Sequence, residues 1–361
     1  MSVAGLTPAS GPTPVGGPTP VAGAAPGAAS TRATAPARVA VLGSANMDLV
    51  GTAASLPRPG ETVLGHGFTM VAGGKGANQA IAASRAGGRC VAVAAVGDDN
   101  FGPALRAGLA DAGVDTSLLR VVPGPSGVAL IAVDAAGENQ ILVAPGANAA
   151  LTGLTGPERA AIVGADALVC QLEVPIETVT EAAVAARDAG VRVVLNAAPA
   201  RPLPAELIAA TDLLVVNRGE AEVVTGLPGA GVERLLDGLL ELAPRAVMTL
   251  GAAGAVYGER AVDGERAVDG EAGVRLTVPA PVVSTVDTTA AGDAFVGALT
   301  VAWIEGRPMG AALRWACAAG AVCARTLGAA GSLPVRGQID ELFAAAYPDP
   351  AGQAATDGQA A

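Results

Sequence analysis

Residues 167–196 read ALVCQLEVPIETVTEAAVAARDAGVRVVLN. Apolar residues run without alternation to Gln171, recur at helical spacing over Ile176–Ala189, and run on again over Val191–Leu195. Unbroken apolar runs mark strands covered on both faces, and a helix between two of them predicts a parallel β-α-β crossover. The rhythm continues downstream, with strands at Leu213–Val216 and Ala246–Leu250, helices at Gly219–Thr225 and Val232–Leu242, and long helices beginning near Ala291 and Met309. Upstream, Arg38–Gly43 and Cys90–Val96 read as buried strands, and Lys75–Ala86 and Phe101–Ala112 as helices closed by glycines. The expected fold class is α/β, a mostly parallel central sheet with helices on both faces.

Two regions depart from that rhythm. Turn-rich segments with loose alternation reach Val71, and Val128–Val133 with Gln140–Val143 read as a hairpin around Gly137. They predict exposed strands, at about 51–71 and 126–145, forming a small separate sheet. Residues 1–36 are Pro, Gly, Ala, Ser and Thr with hardly a charge, too little apolar surface to offset the entropy of ordering, and predict a disordered tail. This segment lacks the basic start and leucine-rich core of a signal peptide. Residues 348–361 predict a second tail, leaving 37–347 as the folded domain. Gly258–Asp263 repeats at once as Gly264–Asp269, which reads as a lengthened surface loop over 258–272.

Bulk properties narrow the function. Of 361 residues, 22 are Lys or Arg and 33 are Asp or Glu, a net charge of −11 with no basic run, which argues against nucleic acid or an anionic membrane surface as partner. No run of about 18 apolar residues could span a bilayer. The four cysteines (Cys90, Cys170, Cys317, Cys323) have no C-x-x-C spacing and read as free thiols of a cytoplasmic protein. A single histidine, His66, disfavours a zinc site.

Chemistry concentrates where strands end and helices begin. Val286-Asp287-Thr288-Thr289-Ala290-Ala291-Gly292-Asp293 opens the first long C-terminal helix with small residues and an acid. Unpaired N–H groups at such a tip bind anions, and the Asp can take a proton from a hydroxyl, the pairing that phosphoryl transfer to an alcohol requires. Gly73-Gly74-Lys75-Gly76-Ala77-Asn78-Gln79-Ala80 opens a second helix and holds the chain's one lysine. Polar clusters follow other strands: Asn46 and Asp48, Glu173, Asn196, and Asn217 with Glu220. In open α/β sheets such positions converge on one crevice beyond the carboxyl ends of the strands. Thr249-Leu250-Gly251-Ala252-Ala253-Gly254 adds a turn able to cradle phosphates.

In this order, the motifs resemble those of the ribokinases in the PfkB carbohydrate kinase family, over about Arg38 to Tyr347. The resemblance implies a ribokinase-like three-layer sandwich whose small β-sheet acts as a lid, and a homodimer joined through the lids. It implies ATP-dependent phosphorylation of D-ribose at O5. Asp293 would be the general base, with the backbone of Ala290, Ala291 and Gly292 as anion hole. Asn46, Asp48, Gly74, Lys75, Gly76, Ala77, Asn78 and Glu173 would hold the sugar. Asn196, Asn217 and Glu220 would organise the ATP phosphates and Mg2+, and Thr249, Leu250, Gly251, Ala252, Ala253 and Gly254 would hold the ATP phosphates, together with Gly292 and Asp293. An activating K+ would sit among Asp287, Thr289, Cys323, Thr326, Gly328 and Ser332. Rival readings are another sugar or nucleoside kinase of the family, and a non-catalytic sugar-binding regulator. For a nucleoside the lid region offers one aromatic residue, Phe68.

Overall fold

The computed structural model describes residues 35–261 and 273–348; the segments 1–34 and 349–361 and most of the duplicated 258–272 loop lie outside the described residues. In chain order the elements are β1 (Arg38–Leu42), β2 (Asn46–Thr52), β3 (Gly67–Gly73), α1 (Lys75–Arg85), β4 (Arg89–Gly97), α2 (Phe101–Asp111), β5 (Leu119–Val122), β6 (Gly127–Val133) and β7 (Asn139–Ala144). There follow α3 (Gly156–Val163), β8 (Ala167–Cys170), α4 (Ile176–Asp188), β9 (Arg192–Asn196), α5 (Ala205–Ala210), β10 (Leu213–Asn217), α6 (Arg218–Thr225) and α7 (Val232–Leu242). The last are β11 (Arg245–Thr249), β12 (Ala255–Glu259), β13 (Arg275–Val278), α8 (Ala291–Ile304), α9 (Met309–Cys323) and α10 (Arg336–Ala346).

Nine strands form the main sheet in the order β13-β12-β11-β10-β9-β8-β1-β4-β5. Its seven strands from β11 to β5 run parallel, and β12 and β13 close one edge antiparallel. The unbroken apolar runs have a direct cause. In β10, Leu213 and Val215 join one hydrophobic core while Leu214 and Val216 join the other, so none of these four positions faces water and only Asn217, at the strand's end, is exposed. One core includes residues of α1, α8 and α9, the other residues of α4 and α7, which makes three layers. Glycine lets the helices close up: a Cβ on Gly297 of α8 would fall 2.6 Å from the Ala82 Cβ of α1.

The second sheet has four strands in the order β3-β2-β6-β7. It is larger than the sequence suggests, because β2 starts at Asn46 rather than near residue 51 and β3 runs on to Gly73. Asn46 and Asp48 therefore ride on this sheet. In β2 the side chains alternate, so Met47 is buried in the core while Asp48 faces the opposite way. Several elements also escape the sequence reading, namely β5, α3, α5, β12, β13 and α10.

Candidate active site

The two glycine-rich helix starts differ in what their backbone donors do. At α1 the donors are consumed by protein: Lys75 N–H bonds Glu173 Oε2 at 3.1 Å, Gly76 N–H bonds Ser44 Oγ at 3.3 Å, and Ala77 N–H bonds the Ser44 carbonyl at 2.8 Å. Gly76 packs so tightly that an added Cβ would lie 2.5 Å from the backbone of Gly43 and Ser44. Gly76 and Ala77, expected on the sugar wall, therefore offer no N–H to a ligand; they let α1 sit on the β1–β2 turn. Glu173, expected to close the sugar site, is the group that caps this helix, with Ser44 Oγ donating to the same oxygen.

The start of α8 is the opposite case. Ala290 has φ 60° and ψ 3°, the one non-glycine residue with positive φ among the described residues, and the helix follows at once. A left-handed residue followed by right-handed ones turns successive N–H groups toward one point, an anion-binding concavity. Ala291 N–H spends itself on the Thr288 carbonyl at 3.1 Å, so it leaves the expected anion hole. Gly292 and Asp293 N–H have no partner among the described residues. An open helix tip with positive partial charge results.

The Asp293 carboxylate is buried, and two consecutive residues of α1 grip it. Asn78 Nδ2 donates to Oδ2 at 3.0 Å and Gln79 Nε2 donates to Oδ1 at 2.9 Å. Burial pushes this carboxyl up, against the pull of Lys75 and the two amides, with Glu173 adding to the rise. Asp293 is thus a better base than an exposed aspartate. Lys75 is pulled down by burial, but the charges of Asp293, Glu173 and Glu220 outweigh that and hold it above its ordinary value.

On the β2 side, Asn148 Nδ2 donates to Asn46 Oδ1 at 2.7 Å, and Asn148 Oδ1 accepts from Ala45 N–H at 2.9 Å. This fixes the Asn46 amide with its donor end free. Asp48 and Asn46 have room because Gly73 and Gly127 carry no side chain: a Cβ at Gly73 would meet Asp48 Oδ2 at 2.3 Å, and one at Gly127 would meet Asn46 Oδ1 at 2.2 Å. Burial, then Glu173 and Asp293, push Asp48 up to about 7. Asn78 Oδ1 is buried without a partner among the described residues.

A cavity of about 230 Å³ joins the open helix tip to the other strand ends, lined by Lys75, Asn196, Asn217, Glu220, Thr249, Ala290, Gly292 and Asp293 among others. Lys75, expected on the sugar wall, thus shares this wall with the residues expected to serve the nucleotide. Asn217 and Glu220 form a reciprocal cap on α6, each side chain bonding the other's N–H at 2.8 Å. Glu220 keeps Oε1 outside that cap. Burial raises this carboxyl over the opposing effects of the Asn217 bond and Lys75. In the turn after β11, Leu250, Ala253 and Gly254 use their N–H groups within the turn, leaving those of Gly251 and Ala252 unpaired among the described residues. A groove of about 450 Å³ beside it is lined by Asn217, Thr249, Leu250, Gly251 and Ala253.

The segments before α8 and after α9 meet. Asp287 accepts from Thr289 N–H and Oγ1 at 2.9 and 2.7 Å and from Gly328 N–H at 2.9 Å; despite partial burial these bonds hold its carboxyl below the usual range. Cys323 Sγ lies 3.5 Å from the Thr289 carbonyl and 3.1 Å from Ser332 Oγ. Asp287, Thr289, Cys323, Gly328 and Ser332 thus form one bonded cluster, which Thr326 joins through its N–H to the Cys323 carbonyl. Sequence reasoning gave no role to Ser44, Gln79 or Asn148, since each acts on a residue distant in the chain.

Residues 36–336 match the pfkB family carbohydrate kinase model. The ribokinase of Bacillus subtilis is 37% identical over 310 residues, 84% of this chain and 99% of that protein. A deoxyribokinase of Salmonella typhimurium is 34% identical over 316 residues, covering 84% of this chain and 98% of its own. Among solved structures, Arabidopsis thaliana ribokinase complexed with ribose and ATP superposes with a TM-score of 0.77 at 29% identity, covering 86% of this chain and 99% of that one.

The raised Asp48 carboxyl has a measurable sign. Its folded-state pKa lies above the unfolded value, so its contribution favours folding at low pH and is lost as pH rises through about 7. Asp48→Asn removes this dependence. In thermal melts of the ligand-free protein, the variant should gain stability over the parent as pH rises from about 5 to about 8. A difference that is flat or shrinks with pH contradicts the assignment.

Proposed function

The chain belongs to the pfkB family of carbohydrate kinases and is a phosphotransferase of the ribokinase type; we propose that it transfers the γ-phosphoryl group of ATP to O5 of D-ribose, giving D-ribose 5-phosphate and ADP. The observation that carries this reading is the pairing, at one helix tip, of a buried, upward-shifted Asp293 carboxylate with unpaired Gly292 and Asp293 N–H groups. Asp293 takes the proton from the primary hydroxyl as the O5–phosphorus bond forms and the β–γ bridging bond breaks. The two N–H groups and Lys75 hold the charge of the transferring group.

Sugar selection follows from polarity. Asp48 accepts from two vicinal hydroxyls, Asn46 donates, and the unpartnered Asn78 Oδ1 accepts from a further hydroxyl. A sugar lacking one of the vicinal hydroxyls leaves a desolvated carboxylate half satisfied, which disfavours 2-deoxyribose.

Among the described residues no three His, Cys, Asp or Glu side chains converge on a metal-sized site. Magnesium fits as the counterion of the nucleotide phosphates, which it neutralises, with the free Glu220 Oε1 reaching it through water. The ionised Asp287, bonded by Thr289 and Gly328, is the charged member of the cluster suited to potassium, whose binding would hold the loop that leads into Ala290.

The small sheet is the lid over the sugar. Phe68, Met70, Leu130 and Leu142 share one face of it by strand register and are exposed, an apolar surface suited to the lid of a second copy. A homodimer follows from this reading. The buried free thiols suit the reducing cytoplasm, and no helix among the described residues is long and apolar enough to cross a membrane.

An ADP-release assay over pentoses, hexoses and nucleosides, with and without potassium, tests the function. D-ribose should give the highest kcat/KM, and potassium should raise the rate. Asp293→Asn should lower kcat by roughly 10²- to 10⁴-fold with ribose still bound. Retained turnover in that variant, or a better substrate than ribose, overturns the reading. Leu142→Arg tests the lid contact: sedimentation should give a dimer for the parent and a monomer for the variant. A parent that sediments as a monomer removes the dimer.

A further inference from the structure

Gln79 has no accessible surface, and each of its polar atoms has a bonded partner on a different element. Its Oε1 accepts from Gln171 Nε2 at 2.5 Å, and its Nε2 donates both to Asn196 Oδ1 and to Asp293 Oδ1, each at 2.9 Å. Asn196 in turn donates to the Val215 carbonyl at 3.0 Å. A chain of amides thus runs from the end of β8, through α1, to the end of β9 and the start of α8. It links the base to a residue that lines the phosphate-side cavity.

The chain has one polarity. An ionised carboxylate only accepts, so Gln79 must turn its amide nitrogen to Asp293 and its oxygen to Gln171. Gln171 must then donate, which leaves its own Oε1 buried without a partner among the described residues. Asn196 must accept at Oδ1 and donate at Nδ2. A buried acceptor left unbonded carries a free-energy cost, so this arrangement is held at some expense to stability.

We propose that Gln79 is a positioning residue for phosphoryl transfer, holding the Asp293 carboxylate ionised and in a fixed rotamer while locking Asn196 beside the phosphate cavity. The inference rests on the reading of Asp293 as general base. A donor to an ionised carboxylate favours the charged form, so losing Gln79 moves the Asp293 carboxyl further up. The other charges acting on it are Lys75, Glu173, Asp48 and Glu220, none of which the Gln79 change removes; the nearby Cys323 thiol, pushed up to about 11, stays neutral.

The test uses the full chain with ribose and ATP. Gln79→Met keeps side-chain length and removes all three bonds, and Gln171→Met removes only the far anchor. For Gln79→Met, kcat should fall roughly 10- to 100-fold, with the ribose dissociation constant within about threefold of the parent. The acid limb of the kcat–pH profile should move to higher pH. Gln171→Met should show the same two changes to a smaller extent. Folded Gln79→Met protein with parental kcat and acid limb overturns the proposal. If Gln79→Met does not fold, Gln171→Met decides alone, and an unchanged kcat and profile there overturns it. A parent inactive on ribose instead removes the functional reading itself, so the two failures are distinguishable.

Discussion

A negative charge buried at the tip of a helix is the constraint on which the rest depends. Asp293 has lost its water and sits in the first turn of α8, where the helix dipole favours an anion but burial alone does not. It is tolerated because α1 brings two amides to its two oxygens and because Lys75 lies in the same cavity. Remove those partners and the carboxyl would neutralise, and the base would be gone. The grip of α1 on the tip of α8 is therefore both a folding contact and a chemical setting.

That grip explains where the small residues fall. Helix α1 must approach α8 closely on one side and the β1–β2 turn on the other. Gly297 meets Ala82 across the first contact, and Gly76 meets Gly43 and Ser44 across the second. Ser44 and Glu173 then absorb the donors at the start of α1, so free N–H groups remain at α8 and not at its neighbour. Two helix starts that look alike in sequence divide the labour: one is closed by protein, the other left open to a ligand.

The framework was legible in the sequence because its signal is physical and local. A strand covered on both faces must be apolar throughout, as Leu213–Val216 is, and its neighbours follow the same rule. Short edge elements carry less signal: β5 has four residues, and β12 and β13 flank the duplicated segment. Helix α3 carries a capping box, Thr155 with Glu158, but over eight residues its apolar spacing is too short to stand out. Asn46 and Asp48 look like the end of β1 but belong to the lid sheet, because alternation over seven residues is weak where one face is half covered. The residue types of the site were legible as motifs. The partners that aim them were not, since Gln79 acts across 214 positions of chain on Asp293 and Asn148 across 102 on Asn46.

The most direct test of the account is a crystal structure of the complex with D-ribose and a non-hydrolysable ATP analogue. The account predicts ribose O5 within about 2.6–3.2 Å of an Asp293 carboxylate oxygen. The terminal phosphate should accept hydrogen bonds from the Gly292 and Asp293 N–H groups, with Lys75 beside it. A pentose bound away from Asp293, or a terminal phosphate held elsewhere than the start of α8, would contradict it.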